Sequence, residues 1–208
     1  MDPLTDIRIQ GSEGVDEWLA PIAGEWRRSE TLETFDVTNP ATGHRVHRVQ
    51  KCTPADVLDA IDGAHRWVSE GGLAPADRLE VMDRAAHLVR QHAGELAMTI
   101  TVESGKPISS ARKEVDATAE RLDLSREDTL ALRGEYIPGE WTQDTTGKYA
   151  VVTRRPLGVV AALAPFNYPL FIGAAKIIPA LLAGNGVVVK PPSDAPLGLL
   201  LFAKILQE

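Results

Sequence analysis

The residues best suited to chemistry follow directly after the two most apolar extended segments of the sequence. Residues 157–163 lead into Ala164-Pro165-Phe166-Asn167-Tyr168-Pro169, and residues 187–189 lead into Lys190-Pro191-Pro192-Ser193-Asp194. The side-chain amide, ammonium group and hydroxyl in these segments can all donate hydrogen bonds to a ligand. Because ligands of open α/β sheets collect outside the carboxyl ends of the strands, we interpret both segments as candidate binding positions.

Each of these residues also has a structural interpretation that the residue types alone leave open. Asn167 lies between two prolines, where asparagine is typical of a turn. Lys190 can simply reach solvent at a strand end, and Ser193 can cap the helix that follows. Phe166 is equally consistent with packing in a core.

A strand–helix–strand unit must position these two segments. Residues 157–163 form a continuous apolar run, which is expected of a parallel strand covered on both faces. Residues 169–183 have a helical pattern with Pro179 as a kink, residues 187–189 form the second strand, and Leu197 begins another helix. Such a unit is normally parallel and right-handed, so the sequence predicts an α/β fold.

The preceding part of the chain predicts strands first and helices afterwards. We expect a short strand near residues 22–26 and a hairpin over residues 35–49. The predicted helices are one capped by Thr53, a long one from Pro75 to about Ile100, and one from Pro107 towards Leu132. Residues 134–155 then predict paired strands with a turn at Pro138-Gly139.

Seven segments of the chain resemble, in order and spacing, the aldehyde dehydrogenase superfamily. Upstream these are Gly24-Glu25-Trp26, Asn39-Pro40-Ala41-Thr42-Gly43 and Glu103-Ser104-Gly105-Lys106-Pro107. Downstream they are Arg155-Pro156-Leu157-Gly158-Val159-Val160, Pro165-Phe166-Asn167-Tyr168-Pro169-Leu170, Pro179-Ala180-Leu181-Leu182-Ala183-Gly184-Asn185 and Val187-Val188-Val189-Lys190-Pro191. Any one of them is weak evidence, but together they cover nearly the whole chain after about Ile22.

The resemblance implies an α/β fold that begins a doubly wound, Rossmann-like parallel sheet, preceded by a helical region and a β oligomerisation arm. Residues 1–133 would supply the amino-terminal strands and helices of a cofactor-binding domain. Residues 134–155 would form the oligomerisation arm, and residues 156–208 the first βαβ unit of the dinucleotide-binding sheet. The full-length protein would form a homodimer or homotetramer.

The resemblance also implies an activity, the oxidation of an aldehyde to a carboxylic acid with hydride transfer to NAD or NADP. Asn167 would be the amide that stabilises the oxyanion formed when a thiolate attacks the aldehyde. Lys190 would hydrogen-bond the ribose of the adenosine half. The nicotinamide-ribose side would be lined by Leu163, Ala164, Pro165 and Phe166.

Ser193 favours NADP over NAD within this resemblance. Many NAD-preferring relatives carry a glutamate three residues after the lysine, where it binds the ribose hydroxyls and repels a 2′-phosphate. Serine at this position leaves room for the phosphate, and Lys190 would attract it. Asp194 would weaken the preference if its carboxylate faced the same way.

Relatives supply the nucleophilic cysteine, the water-activating glutamate and a glycine-rich turn from later sequence. We therefore expect the chain to be an amino-terminal portion without dehydrogenase turnover of its own. Two alternatives stay open, namely a truncated paralogue that acts as an oligomerisation or interaction module, and an enzyme that passes the acyl group to coenzyme A.

Composition excludes several other classes of function. The formal net charge of -7 and the pI near 5.3 argue against a nucleic-acid partner. Prolines and Lys176 interrupt the most apolar region, so no membrane span is predicted. Cys52, the single cysteine, indicates a reducing, cytoplasmic compartment and lacks the context of a nucleophile. His87 and His92 are five residues apart and predict no metal site.

Overall fold

The computed structural model describes residues 6–11 and 14–208, which form ten strands and seven α-helices. The strands are β1 (Arg8–Ile9), β2 (Asp16–Trp18), β3 (Ala20–Ile22), β4 (Glu25–Arg27), β5 (Thr34–Thr38), β6 (Arg45–Gln50), β7 (Glu135–Pro138), β8 (Tyr149–Val152), β9 (Val159–Leu163) and β10 (Gly186–Lys190). The helices are α1 (Pro54–Ser69), α2 (Pro75–Gln91), α3 (Ala93–Ser104), α4 (Ile108–Asp123), α5 (Ser125–Asp128), α6 (Phe171–Leu182) and α7 (Leu197–Gln207). None of the described helices is both long and apolar enough to cross a membrane.

The amino-terminal strands form a four-stranded sheet and a separate small hairpin. The sheet has the order β1-β2-β6-β5, and the antiparallel β5–β6 pair confirms the predicted hairpin. The single strand predicted near residues 22–26 is wrong, because β3 and β4 form an antiparallel pair there. Ala23 and Gly24 turn the chain between them with φ angles of 54° and 90°.

Helix α1 begins as its sequence predicts. The Thr53 hydroxyl accepts a hydrogen bond from the Asp56 amide, and the Asp56 carboxylate accepts one from the Thr53 amide, forming a complete capping box. Pro54 occupies the first helical position, where its missing N–H costs nothing. The predicted N-cap at Thr53 is therefore confirmed.

The long helix predicted from Pro75 to about Ile100 is in fact two helices, α2 and α3. The chain leaves helical geometry at His92, which has φ −98° and ψ 16°, and Gly94 follows two residues later. The apolar spacing of the two helices continues across this break, which is why the sequence pattern did not show it. The third predicted helix also ends early, since α4 stops at Asp123 and two short helical turns follow, the second ending at Leu132.

The last third of the chain contains the predicted βαβ unit. Strands β9 and β10 are parallel neighbours, and α6 connects them. Helix α6 packs against α4, and α7 packs against α2 and α3, with Phe202, Leu199 and Ile100 fully buried between elements. The expectation that β9 is covered on both faces is wrong for this chain, because Leu163 is 58% exposed.

The β7–β8 pair confirms the predicted paired strands. The predicted tight turn at Pro138-Gly139 is wrong. Ten residues, 139–148, connect the strands and include a short 3-10 turn at Gln143–Thr145. Large apolar side chains of this arm face solvent, among them Tyr136, Ile137, Trp141, Tyr149 and Val151. The arm therefore carries an exposed apolar surface.

Candidate active site

The two segments with candidate residues leave the same edge of the parallel sheet. Leu163, the last residue of β9, pairs with Lys190, the last residue of β10. One residue later, the Ala164 amide donates a hydrogen bond to the Lys190 carbonyl over 3.1 Å. The Lys176 ammonium group on α6 donates to the Leu163 carbonyl, which ties the end of β9 to the helix that follows. The arrangement is the one expected of a ligand site in an open α/β sheet.

A cleft of about 430 Å³ lies between these segments and the first half of the chain. Phe166, Asn167, Ser193 and Asp194 line it from the strand ends, and the other lining residues are Asp36, Val37, Thr38, Pro40, Glu103, Ser104, Lys106 and Ala195. The structure therefore brings Phe166, Asn167 and Ser193 to one cleft. Leu163, Ala164, Pro165 and Lys190 lie beside it on the sheet edge and are not part of its lining.

Asn167 lies in the loop between β9 and α6, and its main chain is held from outside that loop. The ammonium group of Lys106 donates to the Asn167 carbonyl over 2.7 Å. The same nitrogen lies 2.5 Å from a carboxylate oxygen of Glu114 and 4.0 Å from the centre of the Tyr168 ring. Asn167 itself is exposed, so its side chain is accessible from the cleft.

Glu114 holds the other end of the same loop. Its Oε1 accepts hydrogen bonds from the main-chain amides of Leu170 and Phe171 over 2.9 Å and 3.1 Å. These amides belong to the first turn of α6, which has no side-chain cap of its own. Because the Glu114 carboxylate is fully buried, Lys106 supplies the charge that compensates it.

Glu103 accepts hydrogen bonds at the amino terminus of α7 in a similar way. Its two carboxylate oxygens lie 3.1 Å and 3.2 Å from the Leu197 amide. Burial raises the pKa of Glu103 to about 8, against the opposing effect of the hydrogen bonds from Leu197 and Gly198. The alternative that Ser193 caps this helix is wrong, because α7 begins after Pro196 and its first amide donates to Glu103.

The residues on the sheet edge fit an anionic dinucleotide in their chemistry. Lys190, Ser193 and Asp194 are exposed, so one ammonium group and one hydroxyl are free to face a phosphate. Phe166 is 67% exposed and therefore does not pack into the core of the described chain, which removes the alternative raised for it. Leu163 and Phe166 together present an open apolar surface beside these polar groups.

Sequence reasoning missed the three residues that hold the two loops, Glu103, Lys106 and Glu114. Glu103 and Lys106 belong to a segment noted only for its resemblance to the family, and Gly105 ends α3 in the left-handed conformation. A usable signal existed for Glu114. It lies between Ala111 and Val115 on the inner face of α4, where an acidic residue needs a buried partner.

The residues set aside from the sequence lie outside this cleft. Cys52 precedes α1, and burial together with the nearby Asp56 carboxylate raises the pKa of its thiol, which opposes thiolate formation. Among the residues that the structure describes, no group of three or more histidine, cysteine or acidic side chains could hold a metal ion.

Comparison with known proteins points to one family. The model of the aldehyde dehydrogenase family matches residues 26–208. A D-glyceraldehyde dehydrogenase (NADP(+)) of Thermoplasma acidophilum is 36% identical over 176 residues, which are 84% of this chain and 35% of the relative. The NADP(+) succinate-semialdehyde dehydrogenase GabD of Escherichia coli is 33% identical over 187 residues, which are 89% of this chain and 38% of the relative.

Solved structures agree with this match. The NADP-dependent glyceraldehyde-3-phosphate dehydrogenase of Bacillus halodurans, solved in complex with NADP, has 34% identity and a TM-score of 0.85. The similarity covers 91% of this chain and 41% of that structure. The chain thus spans well under half the length of the proteins it matches.

Proposed function

The chain belongs to the aldehyde dehydrogenase family, and from this membership we propose that it supplies the oxyanion-stabilising amide and one wall of the cofactor site of an enzyme that oxidises an aldehyde to a carboxylic acid. The observation that carries the proposal is the position of Asn167. It lies at the carboxyl edge of the parallel sheet, is exposed, and shares a cleft with Ser193. That edge is where the substrate and the cofactor of such a fold must meet.

Asn167 acts through its side-chain N–H group. When a nucleophile attacks an aldehyde, negative charge develops on the carbonyl oxygen, and a donor fixed beforehand at that oxygen stabilises the charge. Lys106 binds the main-chain carbonyl of Asn167, so the main chain from which the amide projects is held before the reaction. Loss of one such donor typically costs about 3–4 kcal/mol of transition-state stabilisation.

NADP is the cofactor that the exposed donors favour. When bound, it supplies the acceptor for the hydride that leaves the substrate. Lys190 would hold the adenosine ribose and its 2′-phosphate, and the small Ser193 hydroxyl leaves space there. Three of the proteins compared above are named for NADP. The exposed Asp194 limits the preference, because its carboxylate would repel a phosphate on the same side.

The nucleophile and the water-activating glutamate would come from sequence other than these residues. Cys52 is the only cysteine, lies before α1, and has a raised pKa. We therefore expect the 208-residue chain by itself to reduce no NADP when it is mixed with aldehydes. Formation of reduced cofactor by the purified chain would contradict this part of the proposal.

The test of the proposed function is Asn167→Ala in the complete polypeptide that contains these residues. We expect kcat to fall by roughly 10²–10³-fold, with NADP affinity unchanged. Gln91→Ala, which removes an exposed side-chain amide at the end of α2, is the control and should leave kcat unchanged. Wild-type kcat in Asn167→Ala, or no aldehyde oxidation by the wild-type polypeptide, would overturn the proposal.

We also propose that the β7–β8 arm pairs subunits in a homodimer or homotetramer. Trp141 is 80% exposed, and Tyr136 and Tyr149 are 66% and 68% exposed, which is costly for large apolar side chains that remain in water. Sedimentation of a Tyr136→Ser, Tyr149→Ser variant should give a smaller assembly than the wild type. An unchanged assembly would exclude the arm as the interface.

For the compartment we propose the cytoplasm. The proposal depends on the single cysteine, which is free and exposed and is suited to a reducing environment. Cell fractionation of the native protein tests it, and recovery from an oxidising compartment would overturn it.

A further inference from the structure

One ion pair holds the Asn167 loop in its middle and at its α6 end. Lys106 binds the carbonyl of Asn167, and Glu114 binds the amides of Leu170 and Phe171. The two side chains are joined to each other at 2.5 Å. The loop is therefore held by a corner of the helical layer, residues 103–114, which we call the α3–α4 corner.

From this arrangement we propose that Lys106 and Glu114 are positioning residues for the amide of Asn167. The inference rests on the proposed function, since it assigns the pair a role in orienting the oxyanion donor. Neither side chain needs to touch the substrate or the cofactor for this role. They act by fixing the main chain from which the Asn167 amide projects.

The pair is built to be rigid. The Glu114 side chain is completely buried and the Lys106 side chain is 14% exposed, so little water competes for their hydrogen bonds. Two of the three ammonium N–H groups have acceptors at 2.5 Å and 2.7 Å, while the face of the Tyr168 ring lies 4.0 Å from the nitrogen. A flexible lysine is in this way restricted to one position.

Gly105 explains how Lys106 reaches this position. The residue has φ +70°, a left-handed conformation that side chains disfavour. A Cβ placed on Gly105 would lie 2.9 Å from Cγ of Pro40, so the β5–β6 turn leaves no room for one. The sharp turn after α3 is thus required, and it directs Lys106 towards the loop rather than along the helix axis.

A purely structural role would predict a different outcome from a positioning role. If the pair only stabilises the fold, its loss should lower stability without changing turnover by the molecules that remain folded. If it positions the amide, its loss should lower kcat, because displacement of a reacting group by about 1 Å can cost on the order of 10²-fold. The KM for NADP should change less than kcat, since Lys190 and Ser193, which are proposed to hold the adenosine side, lie on the other segment.

The primary experiment compares Lys106→Met with Lys113→Met. Methionine keeps the apolar stem of lysine and removes the donors, and Lys113 is an exposed lysine on α4. In the complete polypeptide we expect Lys106→Met to lower kcat by about 10–100-fold, with a smaller change in the KM for NADP, and Lys106→Arg to recover most of the loss. Lys113→Met should match the wild type.

A second variant separates the two members of the pair. Glu114→Gln keeps one carbonyl acceptor for the Leu170 and Phe171 amides but loses the charge that fixes Lys106. We expect it to lower kcat less than Lys106→Met, because Lys106 remains to bind the Asn167 carbonyl and the first turn of α6 keeps an acceptor. It also folds more readily than a variant that leaves those amides without one.

A structural measurement on the 208-residue chain distinguishes failure of this inference from failure of the proposed function. Hydrogen exchange at the Leu170 and Phe171 amides should be faster in Lys106→Met than in Lys113→Met. Equal exchange in the two variants overturns the inference whether or not the complete polypeptide oxidises aldehydes. Faster exchange with wild-type kcat in an active enzyme also overturns it, since the loop then moves without effect on turnover.

Discussion

Helices α6 and α7 begin in the same manner but in different electrostatic surroundings. Each follows a strand of the parallel sheet, and each has its first amides bound by a buried glutamate of the α3–α4 corner. Glu114 at α6 is paired with Lys106. Glu103 at α7 has no ion pair among the residues that the structure describes, and its pKa is raised to about 8 by burial.

The difference between Glu114 and Glu103 matches a difference between the loops that precede the two helices. The loop before α6 carries Asn167, the proposed oxyanion donor, and Lys106 of the charged pair binds its carbonyl. The loop before α7 carries Ser193, which is exposed and whose proposed partner is the 2′-phosphate of NADP. The comparison teaches that a buried glutamate can bind the first amides of a helix in two ways, as a carboxylate paired with a lysine at Glu114, or without an ion pair and with a raised pKa at Glu103.

Removal of the Glu114 carboxylate should have the largest effect. Glu114→Ala leaves the Lys106 ammonium group buried without a counter-ion and two amides without an acceptor, so we expect a loss of about 3–5 kcal/mol in the free energy of unfolding. Urea denaturation of the 208-residue chain measures this loss, with the exposed Glu120→Ala on the same helix as the control. If Glu114→Ala lowered the free energy of unfolding no more than Glu120→Ala does, the Lys106–Glu114 pair would contribute nothing to stability.

The second effect concerns the pH dependence that Glu103 introduces. Its pKa in the folded chain lies near 8, above the ordinary value of 4.5, so the folded state holds the proton more tightly and loses stability as pH rises through this range. Between pH 5 and 7 the loss should be roughly 2–3 kcal/mol. Glu103→Gln should lack this loss of stability between pH 5 and 7. If the free energy of unfolding depended on pH identically in the two proteins, this prediction would be contradicted.

Cofactor preference should respond to a change in the Ser193 loop. Ser193→Glu places a carboxylate where the 2′-phosphate is proposed to lie, so the ratio of NADP to NAD affinity should fall by about tenfold or more, or about 1.4 kcal/mol. Ser193→Ala is the control and should change the ratio little. Because the position is exposed, unfolding free energies should stay within about 0.5 kcal/mol of the wild type.

The smallest effect concerns the capping box of α1, which is local in sequence, whereas Glu114 and Glu103 bind α6 and α7 from distant positions. Thr53→Ala removes the hydroxyl that accepts from the Asp56 amide, and we expect a loss of about 1 kcal/mol. Thr53→Ser keeps the hydroxyl and should recover most of it. If Thr53→Ala cost as much as Glu114→Ala, the special importance of the buried pair at α6 would be lost.

The sequence predicted what depends on neighbours in the chain. The capping box at Thr53, the β5–β6 hairpin and the strand–helix–strand unit were all recognisable from local spacing. The seven family segments correctly indicated the family, which the match over residues 26–208 confirms. The roles of Asn167, Lys190 and Ser193 stay predictions, although Asn167 and Ser193 do lie in one cleft.

What the sequence did not predict depends on partners far along the chain. The break at His92 interrupts a helix whose apolar spacing continues on both sides. Glu103 and Lys106 lie in a segment that its glycine and proline made typical of a helix end, and nothing local indicated the loops that they bind. Asn167 could be recognised by resemblance. The bond from Lys106 to its carbonyl could not, because the two residues are 61 positions apart in the chain.

The glutamates that bind the first amides of α6 and α7 come from much earlier in the chain, and this affects the order in which the protein folds. The acceptor for α6 is 56 residues earlier in the chain, and the acceptor for α7 is 94 residues earlier. Helices that depend on such distant acceptors gain these hydrogen bonds only after a long loop has closed, which slows folding. Since synthesis proceeds from the amino terminus, the α3–α4 corner emerges first and can act as a template on which α6 and α7 are completed during translation.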